Sequence, residues 1–322
     1  MLADTHGLTF NKDFAKPAGK FDLAVHCGDL TQESKLSEFR DSLSLLKDID
    51  ASLKLVIAGN HEITLDTPTF QRHLARSGLD PNDPAVVKEY GAPDEARALF
   101  NQQDDIQFLE EGTHTFTLAN GAKFTIYASP WTPIRHSDGA LGSGEAGWAF
   151  QYQPSDHDFD IQPDTDIVVT HGPPHGILDY VSGRRGGCSD LFAAIERSRP
   201  RLHCFGHIHA SWGAKMVTWR KQDQNASTQQ LSHFTAIDND KSVVVEKLAG
   251  LKPGKFDVDM AKQEKAKRLA GMLRDGFCDV TPGDEVITSK GEHTMFVNAA
   301  VEGDGEVPIQ PPMVLNLELP RI

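Results

Sequence analysis

Apolar positions along the chain come in short runs, and each run stops abruptly at polar, glycine-marked residues. Phe21 to His26 runs into Cys27-Gly28-Asp29, and Leu53 to Ala58 into Gly59-Asn60-His61-Glu62. Asp166 to Thr170 runs into His171-Gly172-Pro173-Pro174, and Arg201 to Phe205 into Gly206-His207-Ile208-His209. Runs of this length and composition predict buried strands. Between them the apolar spacing changes to three and four residues. Leu36, Phe39, Leu43 and Leu46 form one such face within Ser34–Asp48, and Leu191, Phe192 and Ile195 another within Ser189–Arg197. Both stretches predict amphipathic helices. Strands alternating with helices give an α/β layered fold, in which ligands sit just past the strand ends.

Two stretches are less regular. Residues 66–105, rich in Pro, Asp and Arg, predict short helices covering one edge of a site. Residues 215–290 are charged, with an exposed helix expected over Asp257–Arg274. Strand-like runs resume at Thr294–Val297 and Pro312–Leu315, so 215–290 reads as a surface insertion in a single domain spanning 1–322.

Composition narrows the function classes. At 39% hydrophobic and 24% charged the chain can bury a core and is no extended disordered protein. With 32 Lys+Arg against 46 Asp+Glu the net charge is −14, which disfavours an extended nucleic-acid surface. A phosphate-containing small molecule stays open, because a bound metal reverses the local field. No apolar run approaches the ~20 residues of a membrane helix. Cys27, Cys188, Cys204 and Cys278 are widely spaced without a CxxC pair, and the start shows neither a basic nor an apolar leader region. A reducing, cytoplasmic setting is the expectation. The sequon Asn225-Ala226-Ser227 reads as chance, and Gly142–Gly147 lacks the Lys-Ser/Thr of a phosphate-binding loop.

The candidate chemistry gathers at the strand ends: Asp4 and His6, Asp29, Asn60 with His61, His171, then His207 and His209. Carboxylate, amide oxygen and imidazole donors without a thiol suit Mn, Fe or Zn, or a mixed pair. In extended backbone the D-x-H and H-x-H pairs each aim two side chains to one side. Gly28, Gly59 and Gly206 stand where a larger side chain would obstruct a sharp turn off the strand. One such histidine is usually a solvated residue; five segments in order point to a shared metal site.

These motifs, Asp4-x-His6, Gly28-Asp29, Gly59-Asn60-His61-Glu62, the His171 segment and Gly206-His207-x-His209, resemble the full set of the calcineurin-like metallophosphoesterases. Further likeness is to the metallophosphoesterase-domain-containing, class III cyclic-nucleotide-phosphodiesterase-like branch. It rests on Ser129-Pro130-Trp131-Thr132-Pro133, Thr170-His171-Gly172-Pro173-Pro174, Gly186-Gly187-Cys188, the run Arg199 to His209, and Thr294-Met295-Phe296-Val297-Asn298-Ala299. The resemblance covers 1–213 and 294–320.

The resemblance implies a four-layer αββα sandwich with two divalent metal ions at the sheet ends. By position, Asp4, His6, Asp29 and His209 would hold the first and Asp29, Asn60, His171 and His207 the second, with Asp29 bridging. It further implies a small-molecule phosphodiester or phosphomonoester hydrolysed by a metal-bridging hydroxide, with catalytic His61 as general acid. Glu62 either orients the His61 ring from behind or plays a plain turn role. Arg184 and Arg185 either clamp a substrate phosphate or stand in a solvated loop. Trp131 either walls the cleft or packs in the core; His175 reads as a loop residue, and His26, His203, Cys27 and Cys204 as buried side chains. Two alternatives stay open: the same centre acting on a non-phosphate metabolite, and a non-catalytic binding module on this fold.

One departure from the family stands out. Only Met1-Leu2-Ala3 precede Asp4, where the family has a full apolar strand. A truncated start is the reading, with Asp4 and His6 poorly anchored and the first metal the weaker bound.

Overall fold

Strands form where the apolar runs end in the ligand-bearing turns. In the computed structural model, which describes residues 1–321 apart from 11, 135–146, 222–230, 283–289 and 306, β1 (Phe21–Cys27), β2 (Ala51–Ile57) and β3 (Ile106–Phe108) form a parallel sheet of order β1-β2-β3. The second sheet comprises β4 (Gly112–Thr117), β5 (Lys123–Ser129), β6 (Ile167–Thr170), β7 (Leu202–Phe205), β8 (Gly213–Thr218), β9 (Val243–Lys247) and β10 (His293–Asn298). Its order is β9-β8-β10-β7-β6-β5-β4. β5, β6, β7 and β10 run parallel at its centre, and antiparallel strands close both edges. The Gly142–Ala146 stretch and the Asn225 sequon lie outside the described residues.

Side-chain alternation along each strand decides the layers. Val25 and Cys27 of β1 and Leu55 and Ile57 of β2 share a core with Ile126 and Ala128 of β5, Ile167 and Val169 of β6 and Cys204 of β7. This core fills the space between the sheets. The intervening Ala24 and Val56 point the other way, onto Leu36, Phe39, Leu43 and Leu46 of α1 (Leu36–Asp48). On the far side, Tyr127, Val168 and Phe205 meet Leu191, Phe192 and Ile195 of a helix over Ser189–Ser198. Helix, sheet, sheet, helix is the four-layer arrangement expected.

Residues 66–105 do form short helices: α2 (Thr67–Ser77), α3 (Pro84–Tyr90) and α4 (Glu95–Asn101), with the Ser189–Ser198 helix then being α5. Asp66 caps α2 by accepting the Thr69 N–H (3.2 Å) and also accepts the Phe150 N–H (2.8 Å). His73 Nε2 lies 2.8 Å from the Gly147 carbonyl. Thus α2 pins the 147–150 segment.

Two expectations need correction. The charged 215–290 stretch contains β9 and most of β8, with Met216 and Val217 buried, so it supplies strands of the large sheet instead of lying outside as an insertion. The charge of the stretch as a whole hid the short apolar runs Met216-Val217 and Val243-Val244-Val245 that these strands carry. The final helix, α6 (Asp259–Asp275), buries none of its residues and matches the exposed helix expected.

The anchoring of Asp4 also differs from expectation. Leu2 N–H donates to the Val25 carbonyl (3.0 Å), Ala3 N–H to Ala299 (2.9 Å) and Asp4 N–H to Gly28 (2.9 Å). Cys27 and Val301 N–H groups donate back to Leu2 and Ala3. Pairing on both sides compensates for the shortness of the segment, and Asp4 is fully buried. Among the described residues no helix is long and apolar enough to cross a membrane.

Candidate metal centre

Every candidate ligand sits where the chain turns sharply away from a strand or from the Met1–Ala3 segment. Asp29 follows β1, Asn60 and His61 follow β2, His171 follows β6, and His207 and His209 follow β7. Four of these residues have left-handed backbone: Asp4 (φ 51°), His6 (φ 44°), Asp29 (φ 53°) and His207 (φ 66°). Such conformations cost on the order of 1–3 kcal/mol each in a non-glycine residue, and they persist where the surroundings over-determine them. Glycine is needed beside them: a Cβ on Gly59 would collide with the Asp29 carboxylate, and one on Gly206 with that of Asp4.

The turns bring the donor atoms together in overlapping groups. Asp4, His6 and His209 form one, and Asp29, His171 and His207 another; within each group the donor atoms lie within 4.8 Å of one another. A third combination, His6 with Asp29 and His61, overlaps both. Asn60 Oδ1 joins the second group, 2.9 Å from His171 Nε2. Asp29 Oδ2 stands between the two, 3.8 Å from His6 Nε2 and 3.3 Å from His171 Nε2. His209 Nε2 is 3.4 Å from Asp4 Oδ1. All seven residues expected as ligands are therefore in one place.

The donor set fits divalent cations. Backbone carbonyls hold the outer ring nitrogens: His6 Nδ1 lies 3.2 Å from the Thr31 oxygen and His171 Nδ1 3.0 Å from that of Cys27. Donation to those carbonyls turns Nε2 of each ring inward, where a cation taking the place of any Nε2 proton would find the lone pair a ligand needs. His6 Nε2 is buried with no hydrogen-bond partner. A buried polar atom without a partner is costly, and a cation would satisfy it. Burial alone would raise the Asp29 carboxyl, but the imidazoles of His171, His61 and His6 outweigh it and hold it well below its ordinary range. Burial likewise disfavours a proton on His171, yet the Asp29 and Asp4 carboxylates push it up to about 9. The pocket thus favours positive charge even where burial opposes it.

His61 and Glu62, adjacent in sequence, do different things. The His61 ring lines the cavity, its Nδ1 2.8 Å from the Gln32 carbonyl, and packs 4.5 Å from both the His6 and Trp148 rings. Its backbone N–H donates to Asp29 Oδ1 at 2.9 Å. The fully buried Glu62 accepts from the N–H groups of Asp29 (2.9 Å), Thr31 (2.9 Å) and Gly59 (2.6 Å) and from the Thr31 hydroxyl (2.9 Å). Of the two alternatives for Glu62, the turn role is the one seen: among the described residues it makes no hydrogen bond to the His61 ring, whose Nδ1 lies on the Gln32 carbonyl, and it ties the two ligand loops together at their turns.

Above the groups opens a cavity of ≈ 310 Å³, lined by His6, Asp29, Asn60, His61, His207 and His209, with Gln32, Trp148, Gln151 and Glu302. Sequence reasoning missed these last four, which carry no motif. The structure does not bring Arg184 and Arg185 to this cavity. They form an exposed two-residue strand opposite Tyr180–Val181, and Arg185 pairs with the buried Asp179 at 2.7 Å. Trp131 packs against Phe150 and His157, the core alternative. His175 remains a loop residue, 3.9 Å from Asp179. His26 and His203 are buried against the Thr5 and Thr170 hydroxyls, and Cys27 and Cys204 are buried.

The sequence pattern of the calcineurin-like phosphoesterases matches residues 2–211. The chain belongs to this family. The family implies divalent metal ions, for which the two groups provide donors. The chain is 31% identical over 223 residues to the human metallophosphoesterase domain-containing protein 1, a match covering 66% of this chain and 60% of that one. It is 32% identical over 222 residues to the probable rhamnogalacturonate lyase C of Emericella nidulans, covering 68% of this chain but 18% of that one. Each match spans less than two thirds of the relative. The solved phosphopantetheinyl hydrolase of Mycobacterium tuberculosis aligns with a TM-score of 0.40 and 16% identity, over 68% of this chain and 84% of that chain.

Proposed function

We propose that this phosphoesterase-family chain holds two divalent cations and hydrolyses a small phosphodiester or phosphomonoester. The observation that carries the reading is the shared carboxylate: Asp29 Oδ2 lies within 4 Å of an inward-facing imidazole nitrogen of each donor group. Asp4, His6, Asp29 and His209 would hold one cation, and Asp29, Asn60, His171 and His207 the other. When bound, such cations supply Lewis acidity, activating a water for attack and neutralising charge on phosphoryl oxygens.

The remaining steps belong to the chain's own residues. Thr31 and Cys27 carbonyls fix the tautomers of His6 and His171. The Gln32 carbonyl occupies Nδ1 of His61 and leaves Nε2 as the nitrogen from which the doubly protonated ring would protonate the departing oxygen, reverting to the neutral imidazole. Asn60 and His61 are the substrate contacts of this reading; Arg184 and Arg185 drop out, since neither lines the cavity. A cavity of ≈ 310 Å³ and a net charge of −14 favour a small ligand over nucleic acid.

The test is hydrolysis of bis(p-nitrophenyl) phosphate and p-nitrophenyl phosphate by the Mn²⁺-loaded protein, with and without chelator. Chelator-sensitive turnover of either ester is expected. Two bound cations with no turnover of either would overturn the phosphoesterase reading and leave the non-phosphate alternative.

A further inference from the structure

Glu302 reaches the centre from outside every motif. Its Oε2 lies 3.5 Å from His6 Nε2, the buried nitrogen that has no hydrogen-bond partner. The position is built rather than incidental. Glu302 N–H donates to the Asp4 carbonyl at 3.0 Å, directly after Val301 N–H donates to Ala3, so the segment runs in register with the one bearing Asp4 and His6. Glu302–Asp304 pairs with Val307–Ile309 in a hairpin. Gly303 permits the close approach, since a Cβ there would strike the Val307 carbonyl. Beyond the hairpin the buried Gln310 donates its Nε2 to the His209 carbonyl at 3.1 Å and its backbone N–H to Val301. Both ends of the hairpin are thus tied to residues of the Asp4–His6–His209 group, and the acidic side chain reaches His6 of that group.

We infer that Glu302 is an additional oxygen donor to the cation held by Asp4, His6, Asp29 and His209, and biases that position towards Mn²⁺ over Zn²⁺. This rests on the two-cation reading above. Zn²⁺ is content with four donors, which the group already has, whereas Mn²⁺ favours carboxylate oxygen and a higher coordination number. A fifth, carboxylate donor therefore adds more to Mn²⁺ binding than to Zn²⁺ binding. The second group, with Asn60 in place of an extra carboxylate, gains nothing from it.

Calorimetric titration of metal-stripped protein with Mn²⁺ and, separately, Zn²⁺ tests this, comparing wild type, Glu302→Gln and Glu302→Ala. The expected result is that Glu302→Ala weakens one of two Mn²⁺ sites about 10- to 100-fold, the range for lost metal-site partners, with a much smaller change for Zn²⁺. Glu302→Gln, which keeps a neutral oxygen, should fall between. Unchanged Mn²⁺ binding in Glu302→Ala would overturn the inference. Equal losses for both ions would overturn it too, by reducing Glu302 to a through-space charge. Wild type binding neither ion would instead sink the two-cation reading itself. Thermal unfolding of the stripped proteins, expected to coincide, separates these outcomes from misfolding.

Discussion

The buried carboxylate of Glu62 accepts the backbone N–H of Asp29 at 2.9 Å, bracing the loop after β1 from the loop after β2. It also accepts from Gly59 N–H and from both donors of Thr31. Burial and the Asp29 charge push Glu62 up to about 7, against the pull of those donors.

Glu62→Gln turns an NH₂ group towards at least one of these N–H donors. Leaving buried donors unpaired predicts a loss of about 2–4 kcal/mol in urea unfolding, together with weaker cation binding. Were Glu62 acting on the His61 ring alone, stability would stay at the wild-type value and only the pH profile of turnover would move.

The glycines before the ligands make a paired prediction. A methyl at Gly206 meets the Asp4 carboxylate, and one at Gly59 meets the Asp29 carboxylate and the His171 ring. Gly206→Ala should therefore lower occupancy of one cation position only. Gly59→Ala, acting on the shared Asp29, should empty both. A displacement of ~1 Å is enough to cost about 100-fold in turnover. Metal analysis after dialysis reads the difference; identical stoichiometry in the two variants would refute the assignment of Asp4 to one group and Asp29 to both.

How legible the centre was in sequence depended on how each residue reaches it. Asp29, Asn60, His171, His207 and His209 follow strands at glycine- or histidine-marked turns, so strand pattern and ligand chemistry coincide locally. Trp148 arrives through tertiary pairing instead: Ala149 N–H donates to the Asn60 carbonyl at 3.0 Å, and α2 pins the neighbouring Phe150 through Asp66. Glu302 likewise depends on register with a segment about 300 residues earlier in the chain. Neither leaves a local pattern. Arg184 and Arg185 failed for the opposite reason: two adjacent cations looked like a clamp, but the buried Asp179 claims one of them and both lie off the cavity. In the fold, charge averaged over 215–290 concealed β8 and β9, whose apolar runs are short and, in β9, end on the buried Glu246.

Buried histidines away from the ligands predict the acid limit of stability. Thr170 Oγ1 donates to the Gly172 carbonyl at 2.7 Å, so it accepts from His203 Nε2–H at 2.8 Å and leaves Nδ1 bare. Protonation would place an N–H at Nδ1, which has no partner. Burial accordingly pushes His203 down to about 3. A histidine depressed in the folded state contributes stability above its unfolded value near 6.5, and that contribution is lost as pH falls towards about 3. Between pH 6 and 4 the metal-free wild type should lose stability more steeply than His203→Gln, by up to about 1.4 kcal/mol per pH unit. Parallel urea midpoints for the two proteins would show that His203 stays neutral in neither state or in both.

The last prediction separates chemistry from metal holding. His61 lines the cavity with Nδ1 on the Gln32 carbonyl, while its backbone N–H, untouched by a side-chain change, supports Asp29. Asp29 Oδ2 faces both donor groups. His61→Ala should therefore keep full cation stoichiometry and lose about 10²–10⁴-fold in kcat, the usual worth of a general acid. The loss should shrink for esters whose leaving group needs no proton, so p-nitrophenolate release should suffer less than alkoxide release. Asp29→Ala should lose cations and turnover together. If His61→Ala turned over alkyl and aryl esters at wild-type rates, the protonating role would fall while the donor groups stood; if Asp29→Ala kept both cations, the shared carboxylate would not be what joins them.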